Sequence, residues 1–216
     1  MDRTLEYPCD METPPGAGNA TVGNWDLDSG DVARFQAGDA DAFESLVSRR
    51  EREVYLVAYR LLGSKDDALD AVQETFLRAF RGLGRFRGEA TFRTWITGIA
   101  INVCRNKLAS AQARVADRLL PLRTEDRSEG DPLELPLASP SPGPEEAAYG
   151  GELRRALEAG LRSISGEHRE ILVMREIQGL DYDELAAVLS CPVGTVKSRL
   201  ARARQALREA LKGIWP

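Results

Sequence analysis

The side chains whose types and spacing indicate a chemistry are the cations of one stretch near the end of the sequence. Residues 193–211 contain five lysines and arginines and a single acid, Glu209. Guanidinium and ammonium groups bind phosphate oxygens, and arginine also donates hydrogen bonds to base edges. The composition therefore predicts binding to nucleic acid, with a solvated basic helix as the alternative.

This stretch lies in a pattern of two helices joined by a short turn. Asp181 and Glu184 match a capping box that starts the first helix, and Pro192 suits the first turn of the second. Ser198 and Arg202 fall on the side of the second helix opposite its apolar face. The apolar face is formed by Val193, Val196, Leu200, Ala203, Leu207 and Leu211. The pattern predicts a helix-turn-helix, a unit that places its second helix in the DNA major groove.

Length and composition limit the other possibilities. The chain has 216 residues, 43% of them hydrophobic, which suits one large or two small domains. There is no signal-peptide pattern and no apolar run that could span a bilayer, so we expect a cytoplasmic protein without membrane insertion. Cys9, Cys104, Cys191 and the single histidine, His168, lack metal-ligand spacing, so we expect no metal and no cofactor. A redox role for the cysteines stays open.

The net charge of −5 is distributed unevenly along the sequence. Residues 1–31 carry one arginine against seven acids, and residues 110–150 carry four arginines against eight acids. The remaining residues are therefore net basic, which favours phosphate binding by the parts that are expected to fold.

Amphipathic helices are expected in the first half of the chain. Their positions are residues 31–36, 41–63, 66 onward and 91–109. In the second helix, the charged run at residues 49–53 is expected to lie mainly outside. In the third, Asp70, Gln73 and Glu74 fall on the outward side, where they complement the helix dipole or form a docking surface for a basic partner. The predicted core stripe of the third helix is Leu69, Val72, Phe76, Phe80 and Leu83.

A glycine-flanked basic loop follows, and together with the next helix it interleaves cations, aromatic rings and amides. Single-stranded DNA is bound by such combinations, in which cations hold phosphates while rings or pockets hold unstacked bases. The residues of this pattern are Arg85, Phe86, Arg87, Phe92, Arg93, Trp95, Asn102, Arg105, Asn106 and Lys107. For Phe92 and Trp95 we expect core packing to be the main role, whereas the loop that contains Phe86 is hard to explain as core.

Two segments contain little that could pack. Residues 1–30 are expected to form a disordered tail, and residues 110–150, rich in proline, serine and acids, a flexible linker. The predicted fold is therefore all-α, with two small helical domains at residues 31–109 and 151–216. The helices of the second domain are expected near residues 151–162, at 165–177 and in the helix-turn-helix.

Two long stretches resemble a known family. They are DALDAVQETFLRAFRGLGRFRGEATFRTWITGIAINVCRNKL and LDYDELAAVLSCPVGTVKSRLARAR. They resemble sigma factors of the extracytoplasmic-function (ECF) group, the promoter-specificity subunits of bacterial RNA polymerase, over about residues 31–109 and 151–211. The resemblance implies a sigma2-like first domain that recognises and melts the −10 element, and a sigma4-like second domain that recognises the −35 element.

The resemblance also implies partners and residue roles. Polymerase binding, at the clamp helices of the largest subunit, is implied for Asp70, Gln73 and Glu74. Capture of the single-stranded −10 element is implied for Arg85, Phe86, Arg87, Gly88, Glu89, Ala90, Asn102 and Arg105. Binding to the −35 element is implied for Thr195, Lys197, Ser198, Arg199 and Arg202. The implied partners are core RNA polymerase, through its clamp helices and flap, promoter DNA, and an inhibitory anti-sigma factor.

Two other classes of function are weighed against this one. A dimeric repressor or activator would use only the helix-turn-helix and bind an inverted repeat without polymerase. A nuclease would bind Mg²⁺ through Asp66, Asp67, Asp70 and Glu74, three of which share a helix face. We expect the chain not to be an enzyme, because it contains no GxxxxGK[ST] or HExxH motif and no nucleophile–base pair.

Overall fold

A computed structural model describes residues 25–117 and 155–212, and all regular structure in these two ranges is helical. The helices are α1 (Trp25–Gln36), α2 (Asp41–Leu62), α3 (Lys65–Leu83), α4 (Phe92–Asp117), α5 (residues 155–163), α6 (Gly166–Leu172, continued by a π-helical turn at Val173–Ile177), α7 (Tyr182–Leu189) and α8 (Val193–Lys212). The predicted all-α fold with two helical domains is confirmed. Most of the predicted tail, and the predicted linker beyond Asp117, lie outside the described residues.

Helices α2, α3 and α4 pack together as the centre of the first domain, with α1 against α2. Small side chains on α3 let these helices approach closely, because Ala68, Ala71 and Ala79 are fully buried. The core that they enclose contains Leu46, Val57, Leu61, Leu83, Ile96 and Ile101. Burying such side chains stabilises the fold by about 1.5–3 kcal/mol each.

The core stripe predicted for α3 is partly wrong. Val72, Phe76 and Leu83 are buried as predicted, but Leu69 is 44% exposed and Phe80 is 47% exposed. Alanines and a threonine occupy the rest of the buried side. Thr75 is buried because its hydroxyl donates to the carbonyl of Ala71 at 2.6 Å, which satisfies its polar group. The large apolar residues of α3 therefore lie partly on the surface of the domain.

The predicted start of the first helix, at Asp31, is also wrong, since α1 begins at Trp25. The cause is an ion-pair network that joins α1 to α2. The carboxylate of Asp28 accepts from Arg49 at 3.0 Å and from Arg50 at 2.5 Å, and Asp31 accepts from Arg49. Arg50 is therefore buried, although the charged run around it was expected to lie mainly outside.

Helix α4 continues to Asp117, beyond the end predicted at Ala109. Residues 110–117 contain three alanines, a glutamine and an arginine, which favour helix, and no glycine or proline. Helix α4 is consequently 26 residues long.

In the second domain the helix ends follow side-chain caps. The Ser165 hydroxyl accepts from the His168 amide at 3.4 Å, at the start of α6. At α7 both halves of the capping box are present, because Asp181 accepts from the Glu184 amide and Glu184 accepts from the Asp181 amide. Both N-termini lie where the sequence predicts them.

The two domains also pack against each other. Buried side chains of α1–α4 and of α5–α8 belong to one continuous apolar cluster. At its edge Arg60 and Glu158 form an ion pair at 2.8 Å, and the Arg169 guanidinium donates to the Leu61 carbonyl at 3.0 Å. This packing was not predicted from the sequence.

Candidate nucleic-acid and protein interfaces

Helix α8 is held by its apolar side and presents its polar side to solvent. Val196, Leu200 and Ala203 are buried, and the helix packs on α6 and α7. The turn before α8 is tight because Ser190 adopts a left-handed conformation, with φ of 49°. Helices α7 and α8 therefore form the predicted helix-turn-helix.

The five residues predicted to contact duplex DNA lie on the outer half of α8. Lys197, Ser198 and Arg202 are exposed, whereas Thr195 and Arg199 are half-buried at its edge. Within the described part of the chain none of the three cations forms an ion pair with an acid. Their charges remain available for phosphates and base edges.

Arg204, the next cation along α8, differs from these three because it has an acidic partner. Arg204 forms an ion pair with Glu176 at 2.7 Å, and the hydrogen bond to Glu176 raises the pKa of its guanidinium. Glu176 neutralises Arg204, whereas three cations without an acidic partner among the described residues lie in the first half of α8. That half is the end that a recognition helix directs toward base edges.

Tyr182 is a functional candidate that sequence reasoning missed. Its ring lies 5.0 Å from the guanidinium carbon of Arg175 and 5.7 Å from the Nζ of Lys197. Both distances are within the range of cation–π attraction. The sequence did not predict this cation–π contact, because Tyr182 is simply the residue after a helix N-cap. The contact depends on how α7 crosses α8.

The loop between α3 and α4 is anchored by its aromatic residue. Phe86 is half-buried, with its ring 4.9 Å from that of Trp95 and 6.5 Å from that of Phe92. The Gln36 side chain donates to the carbonyl of Phe86 at 2.7 Å. The core role expected for Phe92 and Trp95 is confirmed, and the expectation that Phe86 stands outside the core is wrong.

The rest of this loop is accessible. Arg85, Arg87, Gly88 and Glu89 are exposed, and Ala90 is half-buried. Gly88 has a φ of 72°, which glycine adopts without the penalty that a side chain would bring. Phe86 anchors the loop between the two arginines in sequence, and both arginines are exposed on the surface.

Asn102 and Arg105 lie farther along α4 and are not adjacent to the loop. Asn102 is two turns beyond Trp95 on nearly the same helix face, about 10 Å away along the axis. Arg105 is a further turn along, and its guanidinium donates to the Glu170 carboxylate of the second domain at 2.6 Å. The predicted single-strand site is thus a strip along α4 whose far end is covered.

The acidic group on α3 forms a surface of its own. The side chain of Asp70 is 70% exposed and that of Glu74 is 41% exposed, and Gln73 is exposed between them. Leu69, Leu77 and Phe80 are exposed along the same helix. Acids next to exposed apolar side chains are typical of a surface that docks a protein.

Comparison with known proteins identifies the family. Two family profiles match: Sigma-70 region 2 over residues 46–114 and Sigma-70 region 4 over residues 154–207. The chain is 35% identical to the RNA polymerase sigma-H factor of Pseudomonas aeruginosa over 183 residues, which cover 85% of this chain and 93% of that protein. The chain belongs to the ECF group of the sigma-70 family. It functions as an RNA polymerase sigma factor, which is a transcription initiation factor.

Other relatives agree with this assignment. The sigma factor is 37% identical to the ECF RNA polymerase sigma-E factor of Salmonella typhimurium over 177 residues, which cover 82% of this chain and 90% of that protein. The structure of CnrH in complex with the cytosolic domain of CnrY matches with a TM-score of 0.59 and 25% identity, covering 87% of this chain and 99% of that chain. The sigma factor RpoE of Bartonella quintana, in complex with the anti-sigma factor NepR, matches in fold with a TM-score of 0.58 and 22% identity, covering 79% and 96%.

The acids of α3 in this sigma factor are engaged with cations. Glu74 pairs with Arg78 at 2.7 Å, and Asp70 lies 3.6 Å from Lys107. Among residues 25–117 and 155–212, no three His, Cys, Asp or Glu side chains come together as a group that could hold a metal ion. In the same ranges, no helix is long and apolar enough to cross a membrane.

The two cysteines within the described ranges differ in environment. Cys104 is fully buried, and this burial raises the pKa of its thiol to about 12, with the Glu170 carboxylate adding to the shift. Cys191, at the turn before α8, is half-buried. Only a thiolate is nucleophilic, so Cys104 is held in its unreactive form at neutral pH.

We predict that Cys104 resists alkylation in the native sigma factor. In a Cys9→Ser/Cys191→Ser variant at pH 8, a pKa of about 12 leaves roughly one thiol in 10⁴ ionised. The rate of reaction with iodoacetamide should rise by at least about 100-fold when denaturant restores the ordinary thiol pKa. Equal rates for native and unfolded protein would show that Cys104 is not shielded.

Proposed function

We propose that the sigma factor docks on core RNA polymerase through α3 and reads promoter DNA through α4 and α8. The observation that carries this proposal is the contrast between two exposed helix faces in different domains. The face of α8 presents Lys197, Arg199 and Arg202 without acidic partners, whereas the face of α3 presents acids and large apolar side chains. One face suits phosphates and base edges, and the other suits a basic protein surface.

Asp70, Gln73 and Glu74 bind the clamp helices of the largest polymerase subunit in this proposal. Leu69, Leu77 and Phe80 supply the apolar contact around them. The ion pairs of Asp70 with Lys107 and of Glu74 with Arg78 lie on the surface and are therefore weak, so they exchange readily for cations of a partner. The second domain contacts the polymerase flap.

At the −35 element, α8 lies in the major groove. Arg202 and Lys197 reach base edges or phosphates from the exposed centre of the helix, with Ser198 between them. Thr195 and Arg199 contact the DNA backbone at its edge. The cation–π contact with Tyr182 restricts Lys197 and lowers the entropy lost on binding.

At the −10 element, the strip from the α3–α4 loop to Arg105 holds the unpaired strand. Arg85 and Arg87 contact phosphates, and Phe86 anchors the loop. The segment of Gly88, Glu89 and Ala90 lies beside an unstacked base. Asn102 donates to a base edge or phosphate one turn before Arg105. Capturing bases in this way offsets the few kcal/mol that unstacking costs.

Each DNA-binding surface is small, so neither is expected to hold a promoter alone. Phosphate contacts supply most non-specific affinity, and each domain offers only a few cations. Mounting both domains on polymerase at a fixed spacing raises the effective concentration of the second contact once the first is made. This dependence on a scaffold distinguishes the sigma factor from a repressor that binds DNA by itself.

An anti-sigma factor and a cytoplasmic location complete the proposal. One solved relative, the sigma factor RpoE, is in complex with the anti-sigma factor NepR, and another, CnrH, is in complex with the cytosolic domain of CnrY. These complexes support a partner of the same kind for this chain. Such a partner inhibits by covering the α3 face or the DNA-binding strip.

We predict that Arg202→Ala weakens −35-dependent transcription by about 1–3 kcal/mol, or roughly 5- to 150-fold, if Arg202 contacts a base edge. The check is transcription in vitro from a promoter and from −35 variants of it. A loss confined to the promoter with the intact −35 base indicates base reading. An equal loss on all templates would assign Arg202 to a phosphate.

The matched control is Arg208→Ala. Arg208 is exposed on the same helix but lies toward its end, where it hydrogen bonds to Gln205. We expect this substitution to change transcription less than Arg202→Ala does. Transcription that is equally sensitive to both would contradict the placement of the reading surface in the first half of α8.

A further inference from the structure

One face of α4 is covered by the second domain. Thr94, Gly98, Ile101 and Arg105 recur at steps of four, three and four, and therefore share a side of the helix. Thr94 donates to the Glu184 carboxylate at 2.5 Å, and Gly98 lies opposite Val188. This covered face includes the part of the DNA-binding strip that is farthest from the loop.

The contact at Arg105 is an ion pair made through several hydrogen bonds. Its Nε donates to both carboxylate oxygens of Glu170, at 3.0 and 2.9 Å, and its Nη2 donates to one of them at 2.6 Å. Glu170 is 7% exposed, so its charge is taken out of water and depends on the guanidinium. Two-point binding of this kind is how arginine also holds a phosphate group.

The same interface contains features that favour its release. The side-chain Oε1 of Gln178 is buried without a hydrogen-bond partner, although the amide nitrogen of that side chain donates to the Glu53 carbonyl at 3.3 Å. Gln178 follows the π-helical turn at Val173–Ile177, a geometry that is rare and less regular than α-helix. We call the packed arrangement of the two domains the closed arrangement. A buried acceptor without a hydrogen bond costs free energy, so it lowers the stability of the closed arrangement.

We propose that Glu170 competes with the −10 strand for Arg105 within the free sigma factor. The carboxylate occupies the guanidinium in the closed arrangement, and docking on polymerase separates the domains and releases it. The proposal rests on the role of Arg105 proposed above. It adds that the second domain inhibits DNA capture by the first until polymerase is bound.

The test measures binding of a fluorescein-labelled single-stranded DNA of mixed sequence to the full chain by fluorescence anisotropy, at low salt and without polymerase. Glu170→Gln keeps the shape of the side chain and removes its charge. If the free chain is closed about nine-tenths of the time, the apparent affinity rises about tenfold. Adding Arg105→Ala to Glu170→Gln removes this gain.

Glu167→Gln is the matched control, because it removes one negative charge from the same helix at an exposed position that takes no part in the domain contact. We expect it to raise the affinity by less than twofold. Equal affinities for Glu167→Gln and Glu170→Gln overturn the proposal, since charge alone would then explain the gain.

Gly98→Leu separates the domains without altering charge, because a side chain at this position extends into Val188. We expect Gly98→Leu to raise the affinity for single-stranded DNA while Glu170 is intact. If circular dichroism shows that Glu170→Gln is unfolded, Gly98→Leu still tests whether the closed arrangement inhibits DNA binding. No gain in a folded Gly98→Leu variant overturns the proposal. Because polymerase is absent, these results are independent of whether the chain activates transcription.

Discussion

Replacing Asp70 and Glu74 together by alanine should weaken binding to core RNA polymerase by about 2–4 kcal/mol, or roughly 30- to 1,000-fold, as expected for central residues of a docking surface. Both carboxylates are accessible, and exposed apolar side chains on the same helix would exclude water from them in a complex. The measurement is the dissociation constant of the labelled sigma factor from core polymerase.

Glu44→Ala/Glu51→Ala is the control for this prediction. These two acids are exposed on α2, so their removal changes the net charge by the same amount. We expect nearly unchanged binding for the control and unchanged thermal unfolding for both variants. If the Asp70→Ala/Glu74→Ala variant binds polymerase as tightly as the original protein, α3 is not part of the docking surface.

Replacing Arg50 by alanine should lower the free energy of unfolding by about 3 kcal/mol, because it leaves the buried Asp28 carboxylate without its main partner. The side chains of Arg50 and Asp28 are 3% and 2% exposed. The loss should fall at the lower end of the range for a broken buried ion pair, since Arg49 still donates to Asp28. Urea unfolding followed by circular dichroism measures it.

Arg52→Ala provides the comparison for Arg50→Ala. Arg52 is exposed on the same helix, and its replacement should change the free energy of unfolding by less than about 0.5 kcal/mol. Similar losses in the two variants would mean that the pairing of Arg50 with Asp28 contributes little to stability.

The elements that the sequence predicts correctly are those with local signals. The capping box at Asp181 and Glu184 needs only a spacing of three residues, and the exposed side of α8 follows from helical periodicity. The accessible arginines of the α3–α4 loop follow from composition in the same way. Neither kind of inference depends on which other segment packs nearby.

Helix α3 shows why apolar periodicity alone can mislead. Large apolar residues are usually predicted to be buried. Helix α3 instead buries alanines against its neighbours and exposes Leu69 and Phe80. A residue that faces another protein has the same composition as one that faces the core. Periodicity cannot separate the two cases, and the tight packing of the alanines becomes visible only when the helices are assembled.

Contacts between distant segments could not be predicted from the sequence. Arg105 and Glu170 are 65 residues apart, and each lies in a helix whose local pattern is satisfied without the other. The longer α1 depends in the same way on Asp28 meeting Arg49 and Arg50 of α2. Such pairs depend on how helices cross, and one sequence does not specify that.

Whether the protein directs promoter choice is tested by transcription initiation with purified core polymerase, with the 5′ ends of all transcripts sequenced in the presence and absence of the protein. We expect a defined set of start sites that appears only with the protein and is lost with Asp70→Ala/Glu74→Ala. Identical start sites with and without the protein would contradict this expectation.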